Sequence, residues 1–213
     1  MTGAAASFYF DLQSPLAYLA AERVLHVLPG PARWQPVLAR ELPGAERLDS
    51  FRCAEEQRIW RAELERRAAA LALQPLRWPD PFPFDSELAM RVATYAKSIG
   101  RAVPFAQAAF RQAFAGGRSL HVGDNVLIAA AACEMHPAAV RAALRRAAPA
   151  RQLREQTARA AALGVRDVPA VSVGERVFWG ERELERAAAY MRERTAAGRA
   201  AAGAPAAAAS VGA

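Results

Sequence analysis

The residues best placed to do chemistry are Ser14 and Pro15, which follow the aromatic run Phe8-Tyr9-Phe10 after only Asp11-Leu12-Gln13. Aromatic residues of this kind suit a buried strand, and three residues leave room for no more than a tight connection. Beyond Pro15, the residues Leu16, Leu19, Ala20, Val24, Val27 and Leu28 recur at helical spacing, which predicts a helix running to residue 28. A serine before such a helix accepts a hydrogen bond from a first-turn amide, and proline fits the first helical position because its missing N–H is not needed there. Ser14 is therefore expected to hold its hydroxyl at the positive end of a helix that leaves a core strand. That is a position suited to an anion. An arbitrary Ser-Pro does no more than cap its helix, so the choice between a cap and a site falls to the rest of the chain.

Other chemistry is poorly represented. His26, His121 and His136 are scattered, with no acidic or cysteine partner at ligand spacing. His26 lies within the first helix and His136 before a proline at a break, and both read as structural. Glu55 and Glu56 are adjacent and cannot face one site from one helix. Cys53 and Cys133 stand far apart, with no Cys-x-x-Cys. There is no phosphate-binding glycine loop and no G-x-S-x-G. No metal is expected.

The elements that must position Ser14 read as follows. Pro29-Gly30-Pro31 breaks the chain before a second strand over 33–38. Residues 49–73, rich in Ala, Glu, Arg and Leu, predict a long helix. Prolines 79, 81 and 83 impose an extended loop, and Asp85 or Ser86 caps a helix from Glu87. Helices follow over 105–114, 124–134, 140–147 and 151–163, the last closed by Gly164. Ala170-Val171-Ser172-Val173 and Arg176-Val177-Phe178 flank the turn Gly174-Glu175 as a hairpin. A final helix starts near Glu181 with Leu184, Ala187, Ala188 and Met191 on one face. Past Arg194 the alanine-rich chain is expected to fray and lose order.

Two stretches decide what Ser14 is. FYFDLQSPLAYL resembles the F-Y-F-D-x-x-S-P-Y-S-Y-L opening of 2-hydroxychromene-2-carboxylate isomerases and kappa-class glutathione transferases. GVRDVPAVSVGERVFWGERELE resembles their G-V-F-G-V-P-T-x-x-V-x-x-x-x-F-W-G-Q-D-R-L. These are DsbA-related proteins in which serine replaces the first cysteine of Cys-x-x-Cys. The resemblance implies an α/β fold, with a thioredoxin-like domain from residues 1–40 and 149–194 and an all-helical insertion over 41–148, while the alanine-rich composition sets the expectation of a disordered tail over 195–213. It implies a cis peptide bond at Val168-Pro169, facing Ser14 across a cleft. It implies glutathione as cofactor, its sulfur held by the Ser14 hydroxyl and first-turn amides and its backbone by Val168-Pro169. Asp85 stands where the family carries a cleft-lining asparagine.

The motifs depart from the family at several points. Leu16 and Ala17 replace an aromatic residue and a serine, and Ala170 replaces a threonine. At the last helix start Glu181-Arg182-Glu183 replaces Q-D-R, so Arg182 occupies the place of an aspartate that binds the glutathione ammonium. Glu181 and Glu183 are the neighbouring candidates to replace it. The implied activity is a glutathione-dependent isomerase or transferase for a small aromatic or unsaturated substrate. The alternatives are a member of the fold that has lost glutathione and binds another small molecule or a protein, and, disfavoured by Ser14 and Ala17, a dithiol oxidoreductase.

Composition adds limits. The net charge is +7 and the pI about 10.4, but Lys97 is the only lysine and the arginines are dispersed among glutamates. A solvated helical surface is expected, and no nucleic-acid partner. No apolar run is long enough to span a bilayer, and no signal-peptide pattern opens the sequence. A cytoplasmic protein that pairs as a homodimer is expected, the dimer from the resemblance.

Overall fold

A computed structural model describes residues 6–44 and 53–203. Strands β1 (Ala6–Phe10), β2 (Ala32–Pro36), β3 (Ala170–Val173) and β4 (Arg176–Trp179) form one mixed sheet in the order β2-β1-β3-β4. β2 runs parallel to β1, with Phe8 opposite Trp34, and β3 runs antiparallel to it, with Tyr9 opposite Ala170. Gly174 opens the β3–β4 turn at φ +62°, a conformation that favours glycine.

Period-two alternation sends β1 to both faces of the sheet. Phe8 and Phe10 pack on Trp34, and Phe10 meets Phe110 of the insertion. On the other face Tyr9 packs with Val37, Val168 and Ala160.

The sequence-predicted first helix is interrupted. Helix α1 (Pro15–Ala21) stops, and a single turn, α2 (Val24–Val27), follows after Glu22 and Arg23. Apolar spacing continues across the break, but two ion pairs lie at it. Glu22 takes both Arg111 contacts at 2.8 and 2.7 Å, while Arg23 reaches Glu181 at 2.9 Å and also Glu185.

The insertion is helical, as expected: α3 (Ala54–Ala70), α4 (Glu87–Ser98), α5 (Ala102–Phe114), α6 (Gly123–Ala131) and α7 (Pro137–Leu144). Residues 49–52 of the expected long helix lie outside the described residues. The helix expected over 140–147 begins earlier, because His136 caps it through Nδ1, 3.2 Å from the Ala138 amide, with Pro137 at its first position. Helix α8 (Ala147–Ala162) returns to the sheet and ends before Gly164 at φ +94°.

A 3-10 turn, Glu181–Glu183, precedes α9 (Leu184–Gly203), which buries Leu184, Ala187, Ala188 and Met191. Helix α9 thus extends into the stretch over 195–213 that was expected to be disordered. Residues 204–213 lie outside the described residues. Among the described residues, no helix is long and apolar enough to cross a membrane.

Candidate functional site

The β1–α1 turn is built around a carboxylate the sequence reading passed over. Asp11 is 1% exposed. Its two oxygens accept the Gln13 amide at 3.1 Å and the Ala39 amide at 2.9 Å, and the Ser86 hydroxyl donates to it as well. Burial pushes its carboxyl above the usual range, and these bonds and Arg40 only partly offset that. Its backbone carbonyl accepts the Ser14 amide at 3.0 Å.

Neighbouring bonds tie the same turn to the insertion. Gln13 Nε2 donates to the Phe84 carbonyl at 2.6 Å, and the Leu12 amide meets Met90 Sδ at 3.2 Å. The aromatic motif F-Y-F-D carried a signal for Asp11, since an aspartate closing a buried apolar run requires hydrogen-bond partners.

At the end of this turn Ser14 adopts the expected cap. Its backbone is extended, its Oγ accepts the Ala17 amide at 3.2 Å, and Pro15 takes the first helical position. Among the described residues the hydroxyl hydrogen has no acceptor, so the oxygen that caps the helix still has one proton to donate. Ser14 is 7% exposed. Helix α1 has only seven residues, so its dipole contributes less than the longer expected helix would.

Val168-Pro169 is cis, as the resemblance implied. The register of Tyr9 with Ala170 brings the residues that follow β1 and those that precede β3 to the same end of the sheet. Ser14 and Val168-Pro169 therefore share that end. The Val168 amide is occupied by Asp167 Oδ1 at 2.7 Å. The Pro169 carbonyl accepts the Gly180 amide at 2.8 Å, which draws the start of the last helical segment to the same place. Gly180 has φ +93° and ψ 156°, a region essentially confined to glycine.

The three residues after Gly180 are committed elsewhere. Glu181 is 7% exposed and paired with Arg23. Arg182 is exposed and lies 3.7 Å from Glu63 of α3, which the Arg67 hydrogen bond holds below the usual carboxylate range. Glu183 pairs with Arg186 one turn on at 2.7 Å. Glu181 and Glu183 thus each already serve an arginine.

Asp85 also has partners at the surface. It accepts the Glu87 amide at 3.0 Å and Arg40 at 2.8 Å, which is the capping arrangement. Ser86 sits at the N-cap position of α4 without a capping bond of its own, because its hydroxyl serves Asp11.

Sequence reasoning missed the aromatic wall beside this end. Tyr18 stacks on Phe114 with centroids 5.7 Å apart, and Phe114 meets Phe82 and Trp78. Trp60 lies 5.6 Å from Trp78, and the Arg61 guanidinium stands over the Trp78 ring at 4.9 Å. The two cysteines are free. Cys133 is buried, with its thiol pushed up by that burial, and Cys53 is exposed at the start of α3. No cluster able to hold a metal occurs among the described residues.

Comparison with known proteins agrees with this architecture. Among solved structures, a 2-hydroxychromene-2-carboxylate isomerase superposes with TM-score 0.79 at 19% identity, covering 93% of this chain and 99% of that one. A probable DsbA oxidoreductase from Streptomyces coelicolor gives TM-score 0.69 at 21% identity, covering 88% and 89%. The cytosolic disulfide reductase DsbM from Pseudomonas aeruginosa, in its structure with GSH, gives 0.57 at 15%, covering 92% and 99%. At these identities the likeness establishes the fold. No curated protein matches the sequence. The DSBA-like thioredoxin domain matches residues 6–192, and the chain belongs to that family.

Proposed function

We propose that this protein is a glutathione-dependent isomerase or transferase, of the kind resembled by its two motifs, acting on a small aromatic or unsaturated substrate. The observation that carries the reading is Ser14. A hydroxyl stands where a redox relative would carry its attacking thiol, and it has a proton to donate. Such a group cannot exchange disulfides, but it stabilises a thiolate by donating a charge-assisted hydrogen bond. Glutathione held at this turn would supply a thiolate nucleophile for reversible addition to an unsaturated carbon. Ser14 then acts as hydrogen-bond donor to sulfur, not as nucleophile. Trp60, Trp78 and Phe82 form a half-buried aromatic group with the Arg61 guanidinium over Trp78 and Phe82, and a flat substrate would stack there by displacing that cation.

The fit is uneven. The sulfur end suits Ser14 and the turn that Asp11 holds. The ammonium end meets Arg182, while Glu181 and Glu183 already serve Arg23 and Arg186. This mismatch favours a second reading, a member of the fold that has given up glutathione for another ligand or a partner protein. Titration calorimetry with glutathione separates the two. Weak binding by the parent, strengthened about tenfold or more in Arg182→Asp, supports the thiol-dependent enzyme. No binding by the parent together with restored binding in Arg182→Asp selects the second reading.

A further inference from the structure

Helix α3 carries an arginine that pairs with no acid. Arg58 bonds Glu55, and Arg66 and Arg67 both bond Glu63, as opposite charges three or four residues apart on a helix do. Arg61 stands four residues before Glu65, yet among the described residues its guanidinium has no carboxylate partner. It lies instead over two rings, 4.9 Å from the Trp78 centroid and 5.5 Å from that of Phe82, both within cation–π range. Those rings meet at 62° and form a corner that the guanidinium fills, with Trp60 of α3 5.6 Å from Trp78.

The corner suits a cation better than it suits this one. Arg61 Nε is buried there with no hydrogen-bond partner among the described residues, so its N–H has lost water and gained nothing. Glu65 accepts Trp78 Nε1 at 2.7 Å, which puts a carboxylate beside the indole and adds negative charge near the corner. Driven out of the corner, the Arg61 side chain regains water at Nε and has Glu65 one turn away to meet. Its displacement is therefore cheap.

A cation without N–H groups fits the same place at lower cost. It leaves no donor unpaired, and its methyl groups make apolar contact with the ring faces. We propose that the corner of Trp78 and Phe82, flanked by Trp60, binds a small molecule bearing a quaternary, N-methylated ammonium, with Arg61 as the internal cation it displaces. The site needs neither glutathione nor Ser14, so it is independent of the thiol-dependent reading. An anionic ligand would have to leave Arg61 in place and bond its Nε, and the Glu65 carboxylate opposes an anion there.

Choline and its uncharged carbon isostere, 3,3-dimethyl-1-butanol, have the same shape and separate charge from apolar contact. Both are titrated without glutathione, at constant ionic strength, and followed by tryptophan fluorescence and calorimetry. Choline is expected to bind saturably, and the alcohol about fivefold or more weaker. Arg61→Ala is expected to tighten choline about threefold or more, because the competing cation is gone, and Trp78→Leu to weaken it about fivefold or more. Glu65→Gln keeps an acceptor for the indole and is expected to weaken choline as well. A gain in affinity cannot come from misfolding, so Arg61→Ala keeps the test decisive if Trp78→Leu does not fold. No saturable choline binding, equal binding of the alcohol, no tightening in Arg61→Ala, or benzoate binding that requires Arg61 overturns the site. A trimethyllysine peptide that binds more tightly than choline overturns the small-molecule assignment in favour of a partner protein.

Discussion

Replacing Asp11 by asparagine tests how the turn before Ser14 is built. The side chain keeps its size and one acceptor oxygen, but the second oxygen becomes an NH2 group facing a backbone amide. Either the Gln13 amide, at 3.1 Å, or the Ala39 amide, at 2.9 Å, then confronts a donor. Leaving a buried donor unpaired costs about 1–3 kcal/mol. Removing a buried carboxylate offsets part of this at neutral pH, because burial raises the Asp11 pKa and its ionised form is disfavoured in the folded state. A net loss of about 2 kcal/mol is expected at pH 8, or roughly 4–8 °C in Tm for a chain of this size.

The pH dependence has a definite sign. A carboxyl whose folded pKa is raised contributes stability that is fully present below its unfolded value, near 3.8, and is lost as pH rises through the folded pKa. The parent therefore gains from Asp11 on acidification, and the variant does not. Protonated Asp11 loses little, since it can donate to the Ser86 oxygen while accepting the two amides. Urea unfolding of both proteins from pH 8 to pH 4 should show the gap widening as pH falls. A gap that narrows would mean that the hydrogen bonds outweigh burial and that Asp11 is held ionised, refuting this reasoning.

Other expectations follow from the ionic contacts and from Ser14. Arg23→Ala leaves the Glu181 carboxylate, 7% exposed, without its cation. Because Arg23 is itself partly exposed, the loss should be about 2–3 kcal/mol, below the full cost of breaking a buried pair, with partial recovery in Arg23→Ala/Glu181→Gln by urea unfolding. Insulin reduction by dithiothreitol should stay at background with the parent protein, because neither Ser14 nor Ala17 can form the attacking thiolate. Catalysis in that assay that disappears in Cys53→Ser or Cys133→Ser would assign redox chemistry to a cysteine outside the Ser14 turn.

Much of this arrangement is legible along the chain because it is local. The strand–turn–Ser-Pro entry and the glycine at the hairpin turn each depend on residues within a few positions. What stays hidden joins distant residues. Apolar spacing runs unbroken through Glu22 and Arg23, so the helix break is invisible without Arg111 and Glu181, the latter 158 positions from Arg23. The end of a buried aromatic run marks Asp11 as a residue in need of partners, but those partners, Ala39 and Ser86, lie 28 and 75 positions away and cannot be read from the motif. Ser86 reads as a cap, and from the start of α4 its hydroxyl instead serves Asp11. The Val168-Pro169 geometry was read from resemblance alone.

The central claim is that Ser14 holds a thiol in its ionised form. A hydrogen bond to a charged acceptor is worth roughly 1.5–3 kcal/mol, which corresponds to about one to two pKa units on a bound thiol. Ultraviolet thiolate absorbance of saturating glutathione, titrated against pH with the parent and with Ser14→Ala, measures this directly. The account predicts that the bound thiol titrates below free glutathione in the parent and moves up by about one to two units in Ser14→Ala. An equal pKa in the two proteins, or no bound glutathione in either, would contradict it.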